Sequence, residues 1–212
     1  MINKKNKVAF FASGGGSNFQ AILDKINSQE LSEADPVLLI SNNSKCGAVL
    51  KAQEAQVAVA HISGYTHKTE EQQAQAMVQV LQKYGVEWIV LAGYMKKIPA
   101  LVLEKWKNRI INIHPALLPA FGGTGMWGHH VHKAVIASGV RVSGATVHFV
   151  DEIYDNGAII AQKSVPVFSE DTPKNVAERV LVVEHDLYWR ALQGLLSSKI
   201  YLQGSKVYGD IQ

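Results

Sequence analysis

Two polar side chains, Asn112 and His114, stand two residues apart in an otherwise apolar run, Ile110-Ile111-Asn112-Ile113-His114-Pro115. In an extended strand alternate residues share a face. Ile111 and Ile113 therefore go one way and Asn112 and His114 the other, until Pro115 stops the strand. An amide N–H can donate to a developing oxyanion, and an imidazole, which ordinarily titrates near neutral pH, can donate likewise or carry a proton. Open α/β sheets bind ligands outside the carboxyl ends of their strands, which makes this pair a candidate active site. The alternative is a strand end whose polar residues are merely hydrated.

Other residues of suitable chemistry lie far away in sequence. Gly14-Gly15-Gly16-Ser17-Asn18 follows an apolar run and precedes a helical pattern. Such a turn lets backbone come close to a ligand, and free N–H groups at a helix start favour phosphate. It fits neither a dinucleotide fingerprint nor a Walker sequence, so a purely structural turn with Ser17 as N-cap stays open. Asp155, before Asn156-Gly157, is either a turn aspartate bonded to its own backbone or a carboxylate held near the histidine. Glu184 falls on an apolar helical stripe, where a buried carboxylate needs a partner, although an exposed position also fits. Tyr94-Met95 can wall a flat ring or simply cover the next helix. His129, His130 and His132 are three histidines in four residues, but no carboxylate or cysteine completes a metal set nearby. They read as helix-start or ligand-wall residues, and His148 as an ordinary satisfied strand histidine.

Alternating patterns supply the elements that hold these groups. Strands are expected at 8–13, 36–41, 57–62, 88–92 and 110–114, with helices from Ser17, over 48–56, from Thr69 to Gly85 and over 99–106. Thr69 and Gln72 form a capping pattern, and Thr172-Pro173 opens a long last helix running toward Leu196. A short helix over 131–137, two strands at 142–150 and 158–167, and a hairpin around Gly204 complete the chain. Strands alternating with helices imply an α/β fold built on a doubly wound, mostly parallel sheet with helices on both faces. The ends of the first, fourth and fifth strands then share one edge, where Ser17, Met95 and His114 are expected to meet. Four glycines in Gly122–Gly128 describe a mobile or tightly folded loop.

Bulk properties narrow the function classes. A chain of 212 residues, 47% hydrophobic and 18% charged, with neither linker nor repeat, reads as one globular domain. A net charge of +3 is too small and scattered to argue for nucleic acid or a membrane surface, and fits small anionic ligands. The single Cys46 excludes an internal disulfide and suits a reducing compartment, where it reads as a small buried hydrophobe. The basic start Asn3-Lys4-Lys5-Asn6-Lys7 precedes too short an apolar run for a signal peptide, and no run reaches membrane-span length, so a cytoplasmic location is expected.

Several of these motifs together resemble the folate-dependent formyltransferases. They are Asn112-Ile113-His114-Pro115 with Leu117-Leu118-Pro119, Val147-His148-Phe149-Val150-Asp151, and Asp155 with its glycine turn. Gly14–Asn18, Leu91–Met95 and Glu184-His185 add to the match in the family's order, across nearly the whole chain. The nearest likeness is to members acting on glycinamide ribonucleotide. The resemblance implies a Rossmann-like formyltransferase fold in a single domain, with a phosphate-binding half to about residue 110 and a folate and catalytic half from about 111.

It further implies transfer of the formyl group of 10-formyltetrahydrofolate, as co-substrate and without metal, to the amine of glycinamide ribonucleotide. Asn112, His114 and Asp155 would be catalytic, and Gly15, Gly16, Ser17, Asn18 and Glu184 would bind the nucleotide. Tyr94, Met95, Lys96, Lys97, Ile98, Asn112 and Asp151 would serve the formyl folate. Partners would be these small molecules alone, for a monomer or homodimer without nucleic acid or membrane. Relatives with an added RNA-binding or regulatory domain are longer than this chain. A longer Phe121–Gly128 segment and the Lys96-Lys97 pair depart from the family's usual pattern. The alternatives are a hydrolase that passes the formyl group to water and a non-catalytic sugar-phosphate sensor.

Overall fold

The computed structural model describes residues 5–211; Asn3 and Lys4 of the basic start and Gln212 of the tail lie outside the described residues. The chain divides into two compact units, one through Ile111 and one from Asn112. In the first, β1 (Asn6–Phe11), α1 (Ser17–Asn27), β2 (Ala34–Ser41), α2 (Gly47–Glu54), β3 (Ala58–His61), α3 (Glu70–Lys83), β4 (Trp88–Leu91) and α4 (Ala100–Lys105) alternate as the pattern requires. The boundary falls within β5 (Ile110–His114). The second unit continues with α5 (His129–Ser138), β6 (Val142–Phe149), β7 (Ile159–Pro166), α6 (Pro173–Leu196) and the hairpin β8 (Tyr201–Gln203) and β9 (Lys206–Tyr208).

Hydrogen bonding orders the seven-stranded sheet β3-β2-β1-β4-β5-β6-β7. β1 runs parallel to both β2 and β4, β2 parallel to β3, and β6 antiparallel to β7. Leaving β1, the chain builds outward through β2 and β3, then returns to place β4 on the other side of β1. That reversal is a topological switch point, where α/β sheets open a crevice beyond the strand ends. Two connections reach this edge in the first unit, the glycine turn after β1 and the Gly93 loop after β4.

The elements follow from ordinary packing. Val8 to Phe11 are all fully buried, the near-continuous apolar run of a strand covered on both faces. α1 buries Phe19, Ile22, Leu23 and Ile26, spaced as one helix face, and the Phe19 ring lies 4.9 Å from that of Phe10. Burying such a ring contributes about 2–3 kcal/mol. Both expected helix starts are capping boxes. Thr69 Oγ1 accepts from Gln72 N at 3.1 Å, and Thr172 Oγ1 from Asn175 N at 3.3 Å, with Pro173 in the first turn. Beyond α3, Gly85 takes φ +64°, the left-handed conformation that ends a helix. The expected hairpin around Gly204 forms, with the Tyr201 and Tyr208 rings stacked 5.7 Å apart.

In the second unit α6 carries the longest buried stripe, including Val176, Val180, Glu184, Leu187 and Leu192. Its first turns are tied to the end of β7 by Arg179. That guanidinium donates to both Asp171 carboxylate oxygens at 2.8 and 3.0 Å and to the Pro166 carbonyl at 2.6 Å, and lies over the Phe168 ring. Arg179 holds the Asp171 carboxyl down at about 2. A carboxyl pKa lowered by folding stabilises the native state above the ordinary carboxylate range and loses that contribution as pH falls through the folded value. Arg179→Met should therefore unfold at lower urea concentration than wild type near neutral pH, and the gap should shrink as pH drops from about 4 toward 2. A gap of constant size across that window would contradict this reading.

Candidate active site

β5 delivers its polar pair as the alternation requires. Ile110, Ile111 and Ile113 are buried, His114 is only 3% exposed, and Asn112 is half-buried. Carbonyl oxygens can only accept, and that fixes the proton on each nearby ring. His148 Nδ1 lies 2.8 Å from the Phe149 carbonyl and so donates to it. In the neutral ring Nε2 is then an acceptor, and Asn112 Nδ2 donates to it at 3.1 Å. Burial pushes the His148 pKa down, which favours that neutral form. The Asn112 amide is thus oriented with one N–H spent on His148 and its second N–H left to donate elsewhere.

His114 is held from both sides. Its Nε2 donates to the Phe121 carbonyl at 2.7 Å, and its Nδ1 faces Asp155 Oδ2 at 3.4 Å. With Nε2 committed to a carbonyl, Nδ1 is the ring nitrogen that faces the carboxylate. The other Asp155 oxygen lies 3.6 Å from His148 Nε2, so two buried imidazoles converge on one carboxylate. Asp155 is itself fixed by its backbone, at φ +55°, and by Gly123 N, which donates to Oδ2 at 2.9 Å.

Of the two readings of Asp155, the structure therefore keeps the one in which its carboxylate faces the histidine. The aspartate that bonds the turn's own backbone is Asp151, accepting from Ile153 N at 2.8 Å and from Asn156 Nδ2 at 3.1 Å. Gly157 permits the sharp return to β7, since a Cβ there would fall on the Phe149 carbonyl.

The first residues of the glycine-rich loop are folded tightly onto this cluster. Phe121 and Gly123 supply the backbone groups just described, and a Cβ on Gly122 would meet Leu118 Cδ2 at 2.5 Å and Asp155 Cβ at 3.2 Å. Thr146 anchors the preceding turn, donating to the Ala116 carbonyl at 2.6 Å and accepting from Leu118 N at 3.0 Å. The Leu118-Pro119 peptide is cis. His129, His130 and His132 form the first turn of α5, as a helix start; His129 and His130 are exposed and His132 is buried. Burial, with His114 nearby, pushes the His132 pKa down. Among the described residues no group of three His, Cys, Asp or Glu side chains is placed to hold a metal.

The glycine turn and Glu184 lie on the elements where the sequence puts them, with one correction. Ser17 is not the N-cap of α1: Gly16 is, at φ +72°, and Ser17 is the first helical residue. The reason is space. A Cβ on Gly16 would stand 2.7 Å from Ala48 Cβ, and one on Gly47 would stand 3.0 Å from the Gly15 carbonyl. The start of α2 therefore presses against the turn, and Ala48 N donates to the Gly14 carbonyl at 3.1 Å. Gly14, Gly15 and Ser17 are exposed and Asn18 is buried. First-turn N–H groups have no intrahelical acceptor, which suits an anion. Glu184 is buried on the α6 stripe, 8% exposed, so its exposed alternative falls away.

On the loop after β4, Tyr94 packs edge-on against Phe11 at 5.2 Å, and burial pushes its hydroxyl pKa up to about 12. Met95 is 52% exposed, Lys96 and Lys97 are exposed, and Ile98 is core. In sequence His148 reads only as a satisfied strand histidine and the Phe121 carbonyl does not show at all, yet both belong to the cluster around His114. Neither carries a local signal, because β6 is buried from Ser143 through Phe149 and a backbone carbonyl leaves no mark in side-chain identity.

Residues 6–192 match the family described as formyl transferase. The chain is 43% identical over 198 residues to phosphoribosylglycinamide formyltransferase, chloroplastic, of Arabidopsis thaliana, covering 93% of this chain and 68% of that one. It is 36% identical over 190 residues to phosphoribosylglycinamide formyltransferase of Bacillus subtilis, covering 90% and 94% respectively. It also superposes on the crystal structure of glycinamide ribonucleotide transformylase 1 from Symbiobacterium toebii with a TM-score of 0.90 at 33% identity, covering 97% of this chain and 95% of that one. The chain belongs to the formyl transferase family.

Proposed function

We propose that the protein transfers the formyl group of 10-formyltetrahydrofolate to the primary amine of glycinamide ribonucleotide, giving formylglycinamide ribonucleotide in purine biosynthesis. The observation that carries this reading is the convergence of His114 and His148 on Asp155 beside an oriented Asn112 amide. It occurs in a chain similar to phosphoribosylglycinamide formyltransferases over nine-tenths or more of its length.

The amine nitrogen attacks the formyl carbon, forming a C–N bond while the carbonyl becomes an oxyanion. The carbonyl then re-forms, the bond to the folate nitrogen breaks, and one proton passes in net from the attacking nitrogen to the departing one. The free N–H of Asn112 donates to the oxyanion. His114 uses Nδ1 to take up and return the proton, since Nε2 is already committed to Phe121, and Asp155 stabilises positive charge on the ring. Gly15, Gly16, Ser17 and Asn18 hold the nucleotide's phosphate, and Glu184 binds the same substrate. Tyr94, Met95, Lys96, Lys97, Ile98 and Asp151, with Asn112, serve the formyl folate. No metal takes part.

The whole described chain acts as one formyltransferase domain, its phosphate half reaching about residue 110 and its folate and catalytic half beginning at about 111. No helix among the described residues is long and apolar enough to cross a membrane. We place the protein in the cytoplasm as a monomer or homodimer that acts on small molecules and not on nucleic acid.

Incubating the chain with both substrates and weighing the nucleotide product tests the activity, because transfer adds the mass of CO to the ribonucleotide. Replacing both Ser17 and Asn18 by Ala should weaken binding of the ribonucleotide about tenfold or more. Unaltered affinity in a calorimetric titration would remove those side chains from the phosphate site.

A further inference from the structure

Ser13 lies between β1 and the glycine turn, at the switch point between β1 and β4, and its bonds reach both neighbouring strand ends. The ladder closes one residue earlier, with Ala12 N donating to the Ile40 carbonyl of β2 at 3.1 Å and Ala92 N, just past β4, donating to Phe11 at 2.8 Å. Beyond it the Ser13 backbone N–H donates to the Gly93 carbonyl at 3.0 Å. Its hydroxyl accepts from Met95 N at 2.8 Å and donates to Asn42 Oδ1 at 2.5 Å. Gly93 takes φ +79°, the left-handed turn that brings its own carbonyl and the Met95 N–H back to one residue. Ser13 thus clasps the Gly93–Met95 turn at two points and braces that clasp against the end of β2.

We propose that Ser13, braced by Asn42, is a positioning residue that couples the glycine turn to the Gly93–Met95 loop, so that binding of the phosphorylated amine and binding of the formyl folate reinforce each other. The proposal rests on the assignment of those loops to the two substrates. Ser13 touches neither substrate in this account. A ligand that orders one loop fixes the Ser13 backbone and thereby reduces the freedom the other loop must lose when its own ligand binds. Alanine at 13 retains the backbone bond to Gly93 but leaves Met95 N and Asn42 Oδ1 without the hydroxyl, so the loops order separately.

The test uses three variants of the full chain, Ser13→Ala, Ser13→Thr and Asn42→Ala. Titration of glycinamide ribonucleotide with and without a folate analogue that cannot release its formyl group gives the coupling between sites. Wild type should bind the ribonucleotide about fivefold or more tighter when the analogue is present. Ser13→Ala should lose that gain and raise both KM values about tenfold, with kcat within about twofold at saturation. Ser13→Thr, which keeps the hydroxyl, should restore the coupling, and Asn42→Ala should lose part of it. Hydrogen exchange at the Met95 amide reports the clasp without reference to activity, and should quicken in Ser13→Ala only. Coupling unchanged in Ser13→Ala, or a fall in kcat with both KM values unchanged, would overturn the proposal. Absence of formyl transfer in wild type would instead overturn the functional reading on which it rests, leaving the exchange result to judge the clasp.

Discussion

Asp155→Asn should lower kcat on the order of 10³-fold while leaving the KM for the ribonucleotide within about threefold of wild type. The substitution preserves shape, and an amide oxygen can still accept from Gly123 N, so the loop from Phe121 to Gly123 stays in place. What is lost is the negative charge 3.4 Å from His114 Nδ1 and 3.6 Å from His148 Nε2. His114 cannot relieve the loss with its other nitrogen, because Nε2 is committed to the Phe121 carbonyl. Proton uptake at Nδ1 then occurs beside a neutral dipole in a buried site, where the missing charge is poorly replaced by solvent. Steady-state kinetics on the folded variant decides the matter. Near-normal turnover would remove Asp155 from the chemistry and reduce it to a loop anchor.

The second large effect concerns the oxyanion. Asn112→Ala should cost on the order of 10² to 10³ in kcat, the range seen when a single oxyanion donor is removed. Its neighbours Ile111 and Ile113 keep β5 in the core, so thermal unfolding should show a folded protein. The variant also strips His148 Nε2 of its donor at 3.1 Å, which leaves an acceptor in a buried pocket next to Asp155. A variant at His148 that removes the acceptor should therefore affect the same step more weakly, through misorientation of the amide. If Asn112→Ala retained turnover within about threefold of wild type, the oxyanion would have to be stabilised by another group.

The features that the amino-acid sequence discloses are those with a local cause. The Thr69–Gln72 and Thr172–Asn175 caps, the left-handed Gly85 and the β5 alternation each depend on residues close together in the chain. Glu184 could be placed because an apolar stripe of helical spacing makes a carboxylate conspicuous. His148 could not, since β6 is buried from Ser143 through Phe149 and alternation there separates no wet face from a dry one. The Phe121 carbonyl and Gly123 N–H leave no trace in side-chain identity, so the clamp on His114 and Asp155 was invisible. Ser17 looked like a cap because serine usually is one. The actual cap, Gly16, is required by the approach of Ala48 from a helix thirty-one residues further on. Asp151 and Asp155 share one turn, and only the backbone conformation at Asp155 separates the turn-bonded carboxylate from the one aimed at the histidines.

Amine-dependent transfer by the Asn112, His114 and Asp155 cluster is the central claim. It is tested most directly by following consumption of 10-formyltetrahydrofolate by the purified chain with and without glycinamide ribonucleotide. Loss of formyl donor should require the ribonucleotide and match the formylated nucleotide formed, mole for mole. Equal consumption in its absence would make the protein a hydrolase, and no consumption in either case would leave only a binding protein; either result would contradict the account.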